Sequence, residues 1–115
     1  MTIIKMTGSP KQIEWATDII TRPYTVMENQ AKHYERLSDK ITEYGEIAEL
    51  IRKAMQMYEA GYSAAASQRF ASASVVIDQR CGFKSAAEAA IGIVFQDAGK
   101  FDKIQEVMAN FNRAF

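Results

Sequence analysis

Apolar positions along this chain fall on helical spacing for most of its length. Met27, Tyr34, Leu37, Ile41 and Tyr44 form the first half of one seam, and Ala48, Ile51, Met55 and Tyr58 the second. From Tyr34 onward the steps alternate three and four, the heptad pattern whose a and d positions face a partner. The positions between are mostly charged, among them Glu35, Arg36, Glu43, Glu46, Glu49 and Arg52. The seam predicts one long helix from Val26 to Ala60, roughly 50 Å at ~1.5 Å per residue. Gly45 lies inside it at ~1 kcal/mol relative to Ala. Ser38-Asp39, with Asp39 as N-cap, offers the alternative of two helices. The seam keeps its phase through both points, which favours one. Gly61 supplies a C-terminal stop.

Four further helices follow from start and stop signals. Ser9 reads as an N-cap, Pro10 suits the first helical position, and Gln12 completes a capping box. That first helix carries Ile13, Ala16 and Ile20 on one face and is expected to end at Pro23. Residues 63–80 read as a third helix, rich in alanines that let helix axes approach closely. Residues 81–84 read as a loop, and Ser85 with Glu88 as a second capping box opening a helix to about Ala98. Gly99 ends it, and Asp102 caps a last helix bearing Ile104, Val107, Met108 and Phe111. Residues 1–8 form an N-terminal arm, β-favouring at Thr2, Ile3 and Ile4; one strand makes no sheet alone. No stretch alternates strictly with period two. The expected class is all-α: one domain over 1–115, an elongated bundle of about five helices around a long central one.

Composition narrows what such a bundle does. Lys plus Arg and Asp plus Glu each number 14 in 115 residues, so the formal net charge is zero. That disfavours bulk nucleic-acid binding and any acidic mimicry of DNA. A single cysteine, Cys81, and a single histidine, His33, leave no disulfide framework and no Cys- or His-rich metal centre. The start lacks an apolar run fit for a signal peptide, and Ala86–Phe95, interrupted by Glu88, is too short to span a bilayer. A cytoplasmic protein with a reduced thiol is expected. Three tyrosines occupy the seam and six methionines add adaptable apolar surface. Tyrosine is bulky and half polar for a closed seam, so a homo-oligomer is expected as well.

Candidate chemistry is sparse. Lys11, one residue inside a capped helix start, can join Ser9 and Gln12 in holding an anion at the positive end of the dipole. Lys84 beside Ser85 repeats the idea. Trp15 reads either as a core aromatic or as a stacking anchor. Asp78 and Arg80 lie near a helix end, where Arg80 complements the dipole or both line a polar pocket. His33 has no second histidine or cysteine near it in sequence and reads as a solvated helix residue. Cys81 has no nearby base, and the paired carboxylates sit among lysines and arginines on charged faces. No phosphate-loop, dinucleotide or nucleophile-elbow motif occurs. The residues predict a binding protein rather than an enzyme, with no cofactor and no metal.

Two short pieces carry a resemblance. Gly8-Ser9-Pro10-Lys11-Gln12-Ile13-Glu14-Trp15-Ala16 looks like a GS-x-KQ-x-x-WA signature, and Ile77-Asp78-Gln79-Arg80 looks like an ID-x-R signature. Together they resemble a loosely defined group of small, uncharacterised proteins of bacteriophages and mobile elements. The resemblance implies a phage-type accessory protein acting in the cytoplasm of an infected bacterium, in counter-defence. Three routes stand open. One is sequestration of a host nucleotide immune signal in small phosphate-binding pockets, with Ser9, Lys11, Gln12, Trp15, Asp78, Arg80 and Lys84 as ligand-binding residues. The second is direct inhibition of a defence protein such as a CRISPR nuclease. The third is a DNA-associated accessory role.

Overall fold

A computed structural model describes residues 1–115 and contains five helices. They are α1 (Pro10–Leu37), α2 (Thr42–Arg69), α3 (Ala73–Asp78), α4 (Arg80–Asp97) and α5 (Phe101–Ala114). The molecule measures 48 × 24 × 21 Å, its long axis set by α1 and α2. The expected all-α bundle is what forms. No helix is long and apolar enough to cross a membrane.

Helix boundaries depart from expectation in six places, most often because tertiary contacts outweigh a local signal. The single helix over 26–60 does not exist: the chain reverses at Ser38–Ile41, and α1 and α2 pack as a hairpin. The seam residues of α1 then face those of α2 inside one chain. Tyr34 meets Tyr44 edge to face, ring centroids 5.3 Å apart. Met27, Tyr34, Ala48, Ile51, Met55 and Tyr58 are all buried. Folding back buries the seam on itself; a straight rod would leave it open to water. Outside the seam, Arg52 clamps Glu35 through Nε and Nη2 at 2.8 and 2.7 Å, joining the two helices. That pairing holds the Glu35 carboxyl below its ordinary range.

Pro23 does not end α1. Its ring is buried, and α1 runs through it to Leu37. Proline clashes with the carbonyls of the preceding turn and loosens their hydrogen bonds. The Ile20 carbonyl, within that turn, accepts from the buried Tyr58 hydroxyl of α2. Gly61 does not end α2 either. Only Gly8 and Gly99 take positive φ, so Gly61 stays helical, and α2 continues through the alanines to Arg69.

The expected helix over 63–80 is broken at Phe70–Ser72. There the N-terminal arm claims the backbone: Thr7 N–H donates to the Ala71 carbonyl at 2.8 Å, and Ala73 N–H to the Thr7 carbonyl at 2.9 Å. The arm is therefore pinned rather than free. The Ile4 amide donates to the Tyr62 hydroxyl, the chain's amino group lies 3.4 Å from Glu59, and Met6 is buried. Gly8, at φ 145°, lets the arm pass close to Ala73.

Residues 81–84 are helical, and Ser85 with Glu88 forms no cap, because α4 already starts at Arg80. The buried Phe83 anchors that first turn against Phe70, at 4.9 Å between rings. Asp102 lies in the first turn of α5 but does not cap it; Lys100 takes that place without a side-chain bond. Two signals hold as expected. Ser9 and Gln12 form a reciprocal capping box. Gly99, at φ 71°, closes α4, with the Lys100 amide donating to the Phe95 carbonyl at 2.9 Å. Phe95, Phe111, Ile20, Met27, Ile47 and Ile51 fill the centre of the core.

Candidate functional site

The residues expected to hold an anion do not converge. Ser9 and Gln12 satisfy one another at the start of α1. Lys11 and Trp15 lie exposed on α1 along a shallow hollow lined by that helix alone. Glu14 and Asp18 share the hollow, and two carboxylates beside one lysine repel a phosphate. Trp15 is half exposed, so it is not the core aromatic that would close α1 onto the bundle.

Arg80 donates from Nη1 to the Ile77 carbonyl at 2.9 Å, the structural role open to it at a helix end. Asp78 is exposed and forms no ion pair. Lys84 sits elsewhere, 5.4 Å above the Phe115 ring, which Arg22 also covers at the same distance. Lys11, Arg80 and Lys84, all expected among the ligand-binding residues, thus lie in three separate places.

The most enclosed concavity of the three main ones lies between α2 and α4. It is a groove of about 410 Å³. Its floor is aromatic: Tyr62 stacks on Phe70 at 6.1 Å, and Phe70 leans on Phe83. Its walls are small, Gly61 and Ala65 on α2 and Gly82, Ala86 and Ala89 on α4. Met57 and Ile93 stand exposed on the rim, 40 and 47 % accessible. Ten of its 14 lining residues are hydrophobic, and Arg69 is the only charged one. Arg69 lies over the Phe70 ring, 5.5 Å from its centroid.

Local sequence explains why this face stays open. From Gln56 to Gln68 the only charged residue is Glu59, which turns to the N-terminal amino group. On α4, Lys84 turns to Phe115. The alanines and glycines left between are too short to fill the groove beside the α2/α4 contact. The sequence signal was the run of small residues, read as a close helix contact. It marks both: Ala66 and Ala73 are buried in the core, and Ala65 lines the groove.

Two buried tyrosines have their hydroxyls committed: Tyr34 lies away from the groove, and Tyr58 lines it but donates to the Ile20 carbonyl. Tyr34 donates to Glu106 at 3.1 Å, and burial together with that carboxylate pushes its phenol up to about 12. Burial raises the Tyr58 phenol as well. Both therefore serve as neutral hydrogen-bond donors.

Comparisons with known proteins return nothing: no family model, no curated protein and no solved structure matches this chain.

Proposed function

We propose that this chain is a non-catalytic protein-binding domain of phage type that takes an apolar helical segment of another protein into the α2/α4 groove. The observation that carries this is the groove itself: open, aromatic-floored and almost free of charge. A nucleotide ligand needs cations converging on its phosphates, and Lys11, Arg80 and Lys84 are dispersed. The groove favours a helix over a small molecule by its length. From Met57 to Arg69 it runs roughly 18 Å at ~1.5 Å per residue, about three turns of an incoming helix. Small walls let that helix approach closely, with anchors at the i, i+4 and i+7 spacing of groove recognition. Arg69 at one end favours a carboxylate on the segment near that end.

The phage-type signatures support placing the partner in an infected bacterium, as a defence effector such as a CRISPR nuclease. The test is a plaque assay on bacteria whose defence is a single defined DNA-cleaving CRISPR nuclease, repeated with purified enzyme. Expression of the chain is expected to restore plaques and to block cleavage. Ala86→Trp, which fills the groove, is expected to abolish both effects. Inhibition that survives Ala86→Trp and Arg69→Asp overturns the groove assignment. Tight calorimetric binding of cyclic oligonucleotides, with no effect on nucleases, would restore nucleotide sequestration in its place. A second copy is the competing occupant. It would show as a mass above 12.9 kDa by light scattering that Ala86→Trp returns to the monomer's.

A further inference from the structure

We propose that the N-terminal arm, residues 3–8, is a strap that holds the aromatic floor of the α2/α4 groove in its binding arrangement. Docked, the arm stops α2 at Phe70; released, it lets the helix run on and the floor come apart. The proposal rests on the reading of that groove as a binding site and names what regulates it.

The arm grips both stacked rings of the floor. At one end, the Ile4 N–H donates to the Tyr62 hydroxyl at 3.1 Å. Tyr62 is buried, lines the groove and stacks on Phe70 with ring planes 10° apart. At the other end, Thr7 takes the backbone just past Phe70. Its N–H and Oγ1 both donate to the Ala71 carbonyl, at 2.8 and 3.3 Å, and its carbonyl accepts from Ala73 N–H. A helix running through this stretch would pair Ala73 N–H with the Arg69 carbonyl, and the Ala71 carbonyl with Val75 N–H. Thr7 occupies both groups instead.

Nothing local makes the break. From Tyr62 to Cys81 there is no glycine and no proline, and the residues predict one helix over 63–80. The six residues of α3 are too few to persist as a helix alone. The arm and the burial of Ala73 and Val76 hold α3 in place. Phe70 sits at the break with φ −123°. A helical φ would turn its side chain by about 60° around the N–Cα bond and break the parallel stack on Tyr62.

The arm itself is lightly held. It has no helix of its own, Met6 is its one buried residue, and Ile3 and Ile4 are half-buried. Such a segment opens at lower cost than the whole fold. An occupant that grips the stacked rings binds tighter with the arm docked, and by reciprocity holds the arm more firmly.

The test compares the full chain with Met6→Ala and Gly8→Ala, which loosen the arm from positions outside the groove. The readouts are NMR and titration with anilinonaphthalene sulfonate, a dye whose flat apolar rings suit the floor and whose anion suits Arg69. In both variants the Ile4 and Thr7 amides are expected to exchange faster. The ¹³Cα shifts of Ala71 and Ser72 are expected to move toward helical values, and dye binding to weaken about fivefold or more. In the native chain, saturating dye is expected to slow exchange at Ile4 and Thr7 by a similar factor. Should either variant not fold, Tyr62→Phe takes its place; it keeps the ring and removes the acceptor of the Ile4 amide. Faster arm exchange with unchanged Ala71 and Ser72 shifts overturns the strap, as does arm exchange unchanged in every variant. Dye that fails to bind, or that ignores Ala86→Trp, counts against the groove instead, and the Ala71 and Ser72 shifts then decide by themselves whether the arm holds the break.

Discussion

Single side chains in this bundle do two jobs, as Tyr58 shows. Its ring packs in the core, and its hydroxyl supplies the Ile20 carbonyl in the turn that Pro23 loosens. Tyr58→Phe keeps the packing and removes the bond, so a loss of about 1 kcal/mol is expected in a denaturant titration. Tyr34 makes a pH-dependent contribution. Its phenol sits at about 12 in the fold against an ordinary 10.0. The folded chain therefore binds the proton more tightly than the unfolded one. The associated stability is fully present below pH ~10 and is lost as pH rises through about 12. An alkaline unfolding series is expected to show a steep fall across that window, made shallower by Tyr34→Phe. An unchanged slope in Tyr34→Phe would show that Tyr34 is not the titrating group.

At the scale of elements, backbone punctuation decides where helices stop. Gly99 closes α4 with φ 71°, and Gly99→Ala is expected to lower stability by about 1 kcal/mol. Gly8 is stricter. A Cβ there would lie 3.1 Å from that of Ala73 as well as in a positive-φ conformation. Gly8→Ala is expected to lower the melting temperature by more than Gly99→Ala does, and to free the arm to hydrogen exchange at Thr7 and Ala73. Equal effects would mean the arm contributes nothing to the α3 turn. These positions also mark what the sequence made legible. The Ser9 capping box and the Gly99 stop are local events, each complete within a few residues, and both were readable. The break at Phe70–Ser72 was not, because its cause is Thr7, more than sixty residues away in the chain. The reversal at Ser38–Ile41 was half readable. Asp39 signalled a break, but an uninterrupted heptad phase describes a hairpin and a rod equally well. Pro23 misled because burial of its ring and the Tyr58 hydroxyl offset a local penalty.

For the whole molecule, most of the seam that prompted the expectation of a homo-oligomer is buried inside one chain, Ile41 remaining exposed, and the α2/α4 face is an apolar surface left open. Core and groove should then respond oppositely to substitution. Phe111, fully buried, is expected to lose about 3–5 kcal/mol as Phe111→Ala. Ala86, exposed in the groove wall, is expected to tolerate Trp within about 1 kcal/mol. The candidate anion site was legible only as residue types. Arg80 and Lys84 sit at a helix end and over an aromatic ring, Lys11 lies exposed beside Glu14 and Asp18, and nothing in their spacing reveals that the three lie apart. The groove was legible only as composition, since whether an alanine packs in the core, as Ala66 does, or lines an opening, as Ala65 does, depends on the tertiary neighbours of its face.

The most direct test of the groove as a protein-binding site is a selection from a library of helical peptides displayed against the intact chain, counter-screened on Ala86→Trp. The expected winners share an apolar face at i, i+4 and i+7 with a carboxylate near one end. They bind the native chain, lose binding to Ala86→Trp, and weaken about tenfold on Arg69→Ala. Winners without an apolar face, or winners indifferent to both substitutions, would contradict a protein-binding groove between α2 and α4.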